Sequence, residues 1–202
     1  MKADYDPHYV TSCGSEISNS FRKKMLDFFV ALTLLLSLSP LVIFLSILLF
    51  VFYGESPIFV QKRVGLNGAV FRIFKLRTMR SSGNANVITP IGKVLRKYRL
   101  DELPQLVNVL LGDMSLIGPR PESLELAYLY ESEVRFFGLR HCVRPGITGW
   151  AQINQGHVIG VDQTERKLEL DLYYITNWTF LLDIYIAYKT LGVVFAGKER
   201  VV

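Results

Sequence analysis

Cysteine and histidine are scarce, two and three among 202 residues. Cys13 lies in a polar stretch and Cys142 beside Arg144, so neither a disulfide framework nor a Cys/His metal centre can be built, and a reducing compartment fits. No internal repeat is present, which excludes a solenoid. A long run of alternating strand and helix patterns is also missing, and with it the signature of a doubly wound nucleotide-binding sheet. From Phe28 to Tyr53 there is no charged side chain: 26 residues, bounded by Asp27 and Glu55. A run of that length suits a membrane segment better than a soluble core helix. Its polar lead-in and the lack of a small-residue cleavage pattern after it tell against a secretory signal.

Acidic residues are absent from the whole stretch between Glu55 and Asp101, which holds ten cations: Lys62, Arg63, Arg72, Lys75, Arg77, Arg80, Lys93, Arg96, Lys97 and Arg99. Such a stretch faces something anionic. Its place directly after an apolar run favours lipid headgroups and a phosphorylated substrate, and no nucleic acid partner is expected.

Residues 1–20 read as a flexible polar tail, followed by a membrane unit over 21–54 and a cytoplasmic, interfacial catalytic domain over 55–202. Arg22, Lys23 and Lys24 precede the apolar run, and Lys62 and Arg63 follow it. Basic residues on both flanks place both ends in the cytoplasm, which a re-entrant hairpin satisfies and a simple span does not. Pro40, after Ser39, breaks the run midway by deleting a backbone donor and crowding the carbonyl of Leu36, which the hydroxyls of Ser37 or Ser39 can satisfy. Halves of about 18 and 21 Å, at 1.5 Å per residue, are each too short to cross a hydrocarbon core of about 30 Å.

Beyond the run, 56–60 and 69–74 read as strands of a hairpin around Gly65-Leu66-Asn67-Gly68, and 81–86 as a loop. Helices are expected over 90–98, 104–111 and 122–137, the last two closed by Gly112 and Gly138. From Thr164 to Phe195 the chain is amphipathic, with Leu168, Leu172, Ile175, Trp178, Leu181, Leu182 and Tyr185 at helical spacing. The fold class is α+β and mostly helical: a helix-break-helix membrane hairpin, a short β-hairpin and amphipathic interfacial helices.

Three segments can carry chemistry. Asp101-Glu102 opens a short helix, where paired carboxylates serve as N-terminal caps, as nucleophiles toward phosphorus, or as cation ligands. Gly118-Pro119-Arg120-Pro121 is a rigid turn that aims an arginine at the next helix start, an arrangement suited to an anion. Val143 to Trp150 is another loop fixed by glycine and proline that carries Arg144.

Together these residues resemble the bacterial sugar transferase family, the monotopic phosphoglycosyl transferases. The likeness runs from Phe21 to about Tyr188. It rests on Phe74-Lys75-Leu76-Arg77-Thr78-Met79, on Arg96 with Leu100 to Leu106, on Gly112 to Pro121, on Arg144 to Asn154, and on Asp171-Leu172-Tyr173-Tyr174. Ser39-Pro40 is similar to the family's membrane break. The resemblance implies a UDP-sugar donor, a polyprenyl phosphate acceptor and Mg2+, at the cytoplasmic face of a bacterial inner membrane. Asp101 would attack the sugar-proximal phosphorus, expel UMP and carry an aspartyl phosphosugar; Glu102 would hold the metal. Lys75, Arg96 and Arg120 would bind phosphate, with Arg144, Thr148, Trp150 and Asn154 as further substrate contacts. Where many members carry Gly-Arg after the asparagine, this chain has Gln155-Gly156-His157, and Arg166 is the stand-in for the missing arginine. Larger members have four further membrane helices ahead of this unit, so the chain resembles the minimal form or a fragment of the longer one.

Two other classes compete. A glycosyltransferase that releases UDP is suggested only by Asp4-Tyr5-Asp6, and a non-catalytic protein that binds anionic lipid would be indifferent to loss of Asp101. The sequence names neither the sugar nor the oligomeric state, a homo-oligomer included.

Overall fold

The computed structural model describes residues 5–82, 85–155 and 161–195. Among these residues the chain is mostly helical, with three small two-stranded sheets.

The first helix, α1 (Pro7–Asn19), replaces the expected flexible tail. Asp6 caps it by accepting from the His8 amide at 2.9 Å, and Pro7 occupies the first turn. Its polar composition conceals one apolar stripe, Val10, Gly14 and Ile17, all buried. Gly14 lies so close to Cys142 that an added Cβ would sit 2.3 Å from the sulfur.

Helix α2 (Phe21–Tyr53) runs for 33 residues with Pro40 inside it and ends at Gly54, which has φ 67°. No separation into two helices occurs at Pro40, so the expected break is a proline within one element. The Ser39 hydroxyl donates to the Leu36 carbonyl at 2.9 Å, the carbonyl that the proline leaves without its amide. Most of the helix surface is bare: Ile43, Phe44, Ile47, Phe50, Val51 and Phe52 are exposed. It is long and apolar enough to cross a membrane. Of the three cations at its start, Lys23 is no surface anchor; it is buried and paired with Asp183 at 2.7 Å.

The hairpin of β1 (Ile58–Val64) and β2 (Val70–Leu76) is antiparallel, with Phe59 opposite Lys75 and Arg63 opposite Phe71. Its turn needs left-handed backbone at Asn67 and Gly68, in keeping with the sequence expectation. Residues 81–86 are not simply a loop, because β3 (Met79–Ser82) and β4 (Ala85–Ile88) form a second hairpin. Next come α3 (Pro90–Lys97), a 3-10 turn (Leu100–Glu102) and α4 (Gln105–Leu110), followed by Gly112 at φ 82°. Strand β5 (Ser115–Ile117) pairs in parallel with β6 (Gly146–Thr148), a pairing three residues long that no alternation foreshadows.

Helix α5 (Leu124–Glu133) stops well short of Gly138. The left-handed residue after it is Phe136, and a 3-10 segment (Phe137–Cys142) follows. After α6 (Trp150–Asn154), the C-terminal amphipathic stretch divides into α7 (Val161–Thr176) and α8 (Phe180–Phe195). Leu168, Leu172 and Ile175 enter the main core with Val10, Ile17, Phe137 and Ile186, whereas Leu181 is 76% exposed and Tyr185 is also exposed. A second cluster joins Ala31 of α2 to Phe71, Ile73, Leu106, Val109 and Met114; a third joins Leu45 and Leu49 to Leu76 and Leu95.

Candidate active site

Three local devices bring the polar residues together. Arg99 adopts φ 55°, a strained conformation for a residue with a Cβ, and so turns the chain from α3 into the 3-10 segment that carries Asp101 and Glu102. Both carboxylates are buried, at 8% and 3% exposure. Strand β2 is held beside them by Asn108 of α4, whose amide group donates to the Arg72 carbonyl at 2.7 Å and accepts from the Phe74 amide at 3.1 Å. Lys75 is the next residue. The third device is the contact between the two Gly/Pro loops: a Cβ on Gly146 would lie 2.1 Å from the Gly118 nitrogen, so only glycine lets these backbones meet. Gly118 then donates to Thr148 and Gly146 to Pro119, which fixes the turn presenting Arg120.

Glu102 lies at the centre. Its Oε1 accepts from Arg120 Nη2 at 2.8 Å and stands 3.8 Å from Lys75 Nζ. Arg63 and Arg99 belong to the same cluster. With Lys75 protonated, Arg63, Lys75, Arg99 and Arg120 set four positive charges against the two of Asp101 and Glu102. That crowding is visible in the ionisation. Burial, then repulsion from Arg120, pulls Lys75 down to about 7 against the attraction of Glu102. Burial also lowers Arg63, with Arg120 adding to the effect. Arg120 alone moves upward: burial acts against its charge, but Glu102 more than compensates.

A cleft of about 660 Å3 opens from this cluster, lined by Arg63, Lys75, Asp101, Thr78, Arg96 and Lys93 among others. Arg96 reaches it from α3 and is oriented by donating Nε–H to the Thr78 hydroxyl at 2.9 Å. Asp101, Glu102, Lys75, Arg96 and Arg120, named from the sequence, therefore share one region.

The weaker candidates lie in other surroundings. Arg144 braces the backbone, donating to the carbonyls of Gly112 at 2.9 Å and Ser18 at 3.0 Å. The Thr148 hydroxyl meets that of Thr190 at 2.7 Å. Trp150 stacks on Tyr173 with ring centres 5.6 Å apart, and Asn154 bonds back to the Trp150 carbonyl. Arg166 forms an exposed pair with Glu169. Gly156 and His157 lie outside the described residues.

Behind the cleft is a network that sequence reading did not assemble. Arg140, 1% exposed, donates Nε–H to Asp171 Oδ2 at 2.9 Å, and its Nη2 stands 2.7 Å from the same oxygen. Nη2 also donates to the main-chain carbonyl of Arg120 at 2.9 Å. Glu122 pairs with Lys167 and lies 3.6 Å from Arg140 Nη1. These attractions hold the Glu122 carboxyl down to about 2 although burial opposes them. Asp171 belongs to one of the segments that carry the family resemblance, and Arg140 lies outside all of them.

Among the described residues no group of three or more His, Cys, Asp or Glu side chains is arranged for a metal. The Asp101-Glu102 pair is nevertheless adequate for Mg2+, which takes one or two protein carboxylates and fills its remaining positions with substrate phosphate and water.

A small α+β domain carries one helix long and apolar enough to cross a membrane, and sets a buried carboxylate pair, of which Asp101 lines a cationic cleft, in surroundings suited to phosphate groups. The chain belongs to the bacterial sugar transferase family, whose pattern it matches over residues 18–197. It is 40% identical over 191 residues to the UDP-N-acetylgalactosamine-undecaprenyl-phosphate N-acetylgalactosaminephosphotransferase of Aeromonas hydrophila, covering 88% of this chain and 44% of that protein. An uncharacterized sugar transferase of Bacillus subtilis is 40% identical over 185 residues, covering 87% and 88%. The UDP-glucose:undecaprenyl-phosphate glucose-1-phosphate transferase of Escherichia coli is 35% identical, covering 89% and 41%. The chain thus spans less than half the length of the first and third of these relatives.

Proposed function

We propose that this chain transfers a sugar 1-phosphate from a UDP-sugar to polyprenyl phosphate at the cytoplasmic face of the bacterial inner membrane. The observation that carries the reading is the buried Asp101-Glu102 pair set against a surplus of cations, with Asp101 lining a cleft beside Arg63, Lys75 and Arg96. In the first step an Asp101 oxygen attacks the sugar-proximal phosphorus, the bond to the bridging oxygen breaks, and UMP leaves. In the second, a phosphate oxygen of the polyprenyl acceptor attacks that phosphorus, releasing Asp101 and yielding a polyprenyl diphosphate sugar. Lys75, Arg96 and Arg120 bind the diphosphate and stabilise the charge that builds on its oxygens. Glu102 would hold Mg2+ together with the substrate diphosphate; the ion supplies charge neutralisation during phosphoryl transfer.

The test is intact-protein mass spectrometry after brief exposure to Mg2+ and UDP-N-acetylgalactosamine or UDP-glucose, without acceptor. A phosphosugar adduct on the peptide containing Asp101, absent from Asp101→Asn, is expected. UDP release instead of UMP would replace this reading with direct glycosyl transfer, whereas UMP release with no adduct and rates that require a ternary complex would make Asp101 a base or a metal ligand. No turnover together with lipid binding that ignores Asp101→Asn would leave a non-catalytic anchor.

We also propose that α2 enters and leaves the membrane on one side. Lys23 and Asp27 tie its start to Asp183, Ser115 and Leu116, while Leu45 and Leu49 pack its far end against Leu76 and Leu95. A straight helix of 33 residues is about 50 Å long at 1.5 Å per residue, so a span would carry its two ends to opposite faces. Attachment of both ends to one domain supports return to the same face. In a background of Cys13→Ser and Cys142→Ala, Phe21→Cys and Val60→Cys should both resist an impermeant maleimide in spheroplasts until the membrane is opened. Labelling of only one before permeabilisation rules out the hairpin.

A further inference from the structure

Arg120 reaches Glu102 from a turn with no regular secondary structure, so something else must fix its direction. The main-chain groups from Gly118 to Glu122 supply the answer. Gly118 N–H donates to Thr148, and the Pro119 carbonyl accepts from Gly146. The Arg120 carbonyl accepts from Arg140 Nη2, the Pro121 carbonyl from Arg63 Nη1 at 3.2 Å, and the Glu122 carbonyl from the Val64 amide at 3.1 Å. Five consecutive residues are therefore gripped, and at Arg120 itself the grip is a guanidinium.

A guanidinium so deeply buried can be aimed only by its counter-ions. Asp171 Oδ2 accepts Nε–H and stands 2.7 Å from Nη2, and Nη2 donates to the Arg120 carbonyl. Glu122 and Lys167 close the charge on the other side, and the Phe137 ring lies 5.0 Å from the guanidinium carbon. Helix α7 thus controls the carbonyl of a residue 51 positions earlier in the chain.

We propose that Asp171, acting through Arg140, is a positioning residue that sets the direction of Arg120 toward the substrate diphosphate. This rests on the phosphate-binding reading of Arg120 given above. Asp171 touches no reacting atom. Its carboxylate orients Arg140, Arg140 holds the Arg120 backbone, and the Arg120 side chain delivers the effect.

The test is a double-mutant cycle on the full chain in detergent, measuring UMP release from UDP-N-acetylgalactosamine or UDP-glucose with undecaprenyl phosphate. Asp171→Asn should lower kcat by roughly 10- to 100-fold, the range seen when a supporting partner of a site residue is lost. In an Arg120→Ala background the same change should cost less than about twofold, because residues acting as a unit are not additive. Full multiplication of the two losses overturns the proposal, since a general structural defect would act in either background. If Asp171→Asn does not fold, Arg140→Lys keeps the charge but loses the forked donor, and the same cycle applies.

A second readout needs no turnover. Hydrogen exchange at the amides of Val64, Gly118 and Gly146 should quicken in Asp171→Asn while α3 stays protected. Unchanged exchange at those three amides overturns the proposal. If the wild type turns over no UDP-sugar, the function reading fails, and exchange still decides whether Asp171 holds the turn.

Discussion

Two clusters of charge lie back to back in this domain, and they differ in balance. Around Glu102, Arg63, Lys75, Arg99 and Arg120 outnumber Asp101 and Glu102 by four to two. Around Arg140, two cations (Arg140, Lys167) face two anions (Glu122, Asp171), all buried or nearly so. A balanced set is complete within the protein, so its worth is rigidity. An unbalanced set of cations repels itself until an anion arrives, a cost in stability that a binding site bears and a structural site does not. Burial lowers Lys75 and Arg63 first, and repulsion from Arg120 adds to it.

The sharpest way to break the comparison is to remove one arginine from each side. Arg120→Ala should reduce the rate of UMP release by roughly 10²- to 10³-fold, as loss of one charge-stabilising donor does. Its melting temperature in detergent should fall only slightly, because Lys75 remains beside Glu102 and the remaining cations repel less. Arg140→Ala should do the reverse in emphasis. Stranding Asp171 and Glu122 in the interior costs about 3–5 kcal/mol, which lowers Tm by roughly 10 °C in a chain of this size. Equal loss of Tm in both variants would mean that the cation surplus is ordinary structure.

The two sides also differ in how far they could be read from sequence. Asp101, Glu102 and the cationic stretch before them are adjacent in the chain, and Arg120 stands between two prolines, so local pattern was enough to single them out. The Arg140 network joins Glu122 of the Arg120 turn, Arg140 of a 3-10 segment and Lys167 and Asp171 of α7, and helical spacing relates only the last two. Helix α1 was hidden for a different reason: three positions, Val10, Gly14 and Ile17, carry its packing, too few to outweigh a polar composition. The β3–β4 hairpin was masked because Ser81, Ser82 and Asn86, turn-forming residue types, lie within its strands. Pro40 was legible as a disturbance and Leu36 as its carbonyl; continuity of the helix through it was not, since Ser39 repairs the ladder from a side chain.

The smaller effect concerns Lys75 and is one of pH. An ammonium is charged below its pKa and neutral above it, so with a value of about 7 Lys75 loses its charge through the neutral range in the free protein. Since kcat/KM reports the free enzyme, it should fall above pH 7, by roughly tenfold at pH 8 if the protonated form is required. The dependence of kcat should be shallower, because a bound diphosphate favours the ammonium. Stability runs the other way. Between about 7 and the ordinary lysine value of 10.5 the unfolded chain holds a proton that the folded one has released, so this group makes folding more favourable as pH rises. Lys75→Arg separates the two trends: a guanidinium stays charged throughout, so the alkaline fall in kcat/KM should flatten and the gain in stability disappear. At pH 7 the variant should be slower by roughly threefold to tenfold, since a planar fork replaces a point charge 3.8 Å from Glu102. An alkaline fall that survives in Lys75→Arg would assign the titration to another group and remove Lys75 from the unbalanced cluster.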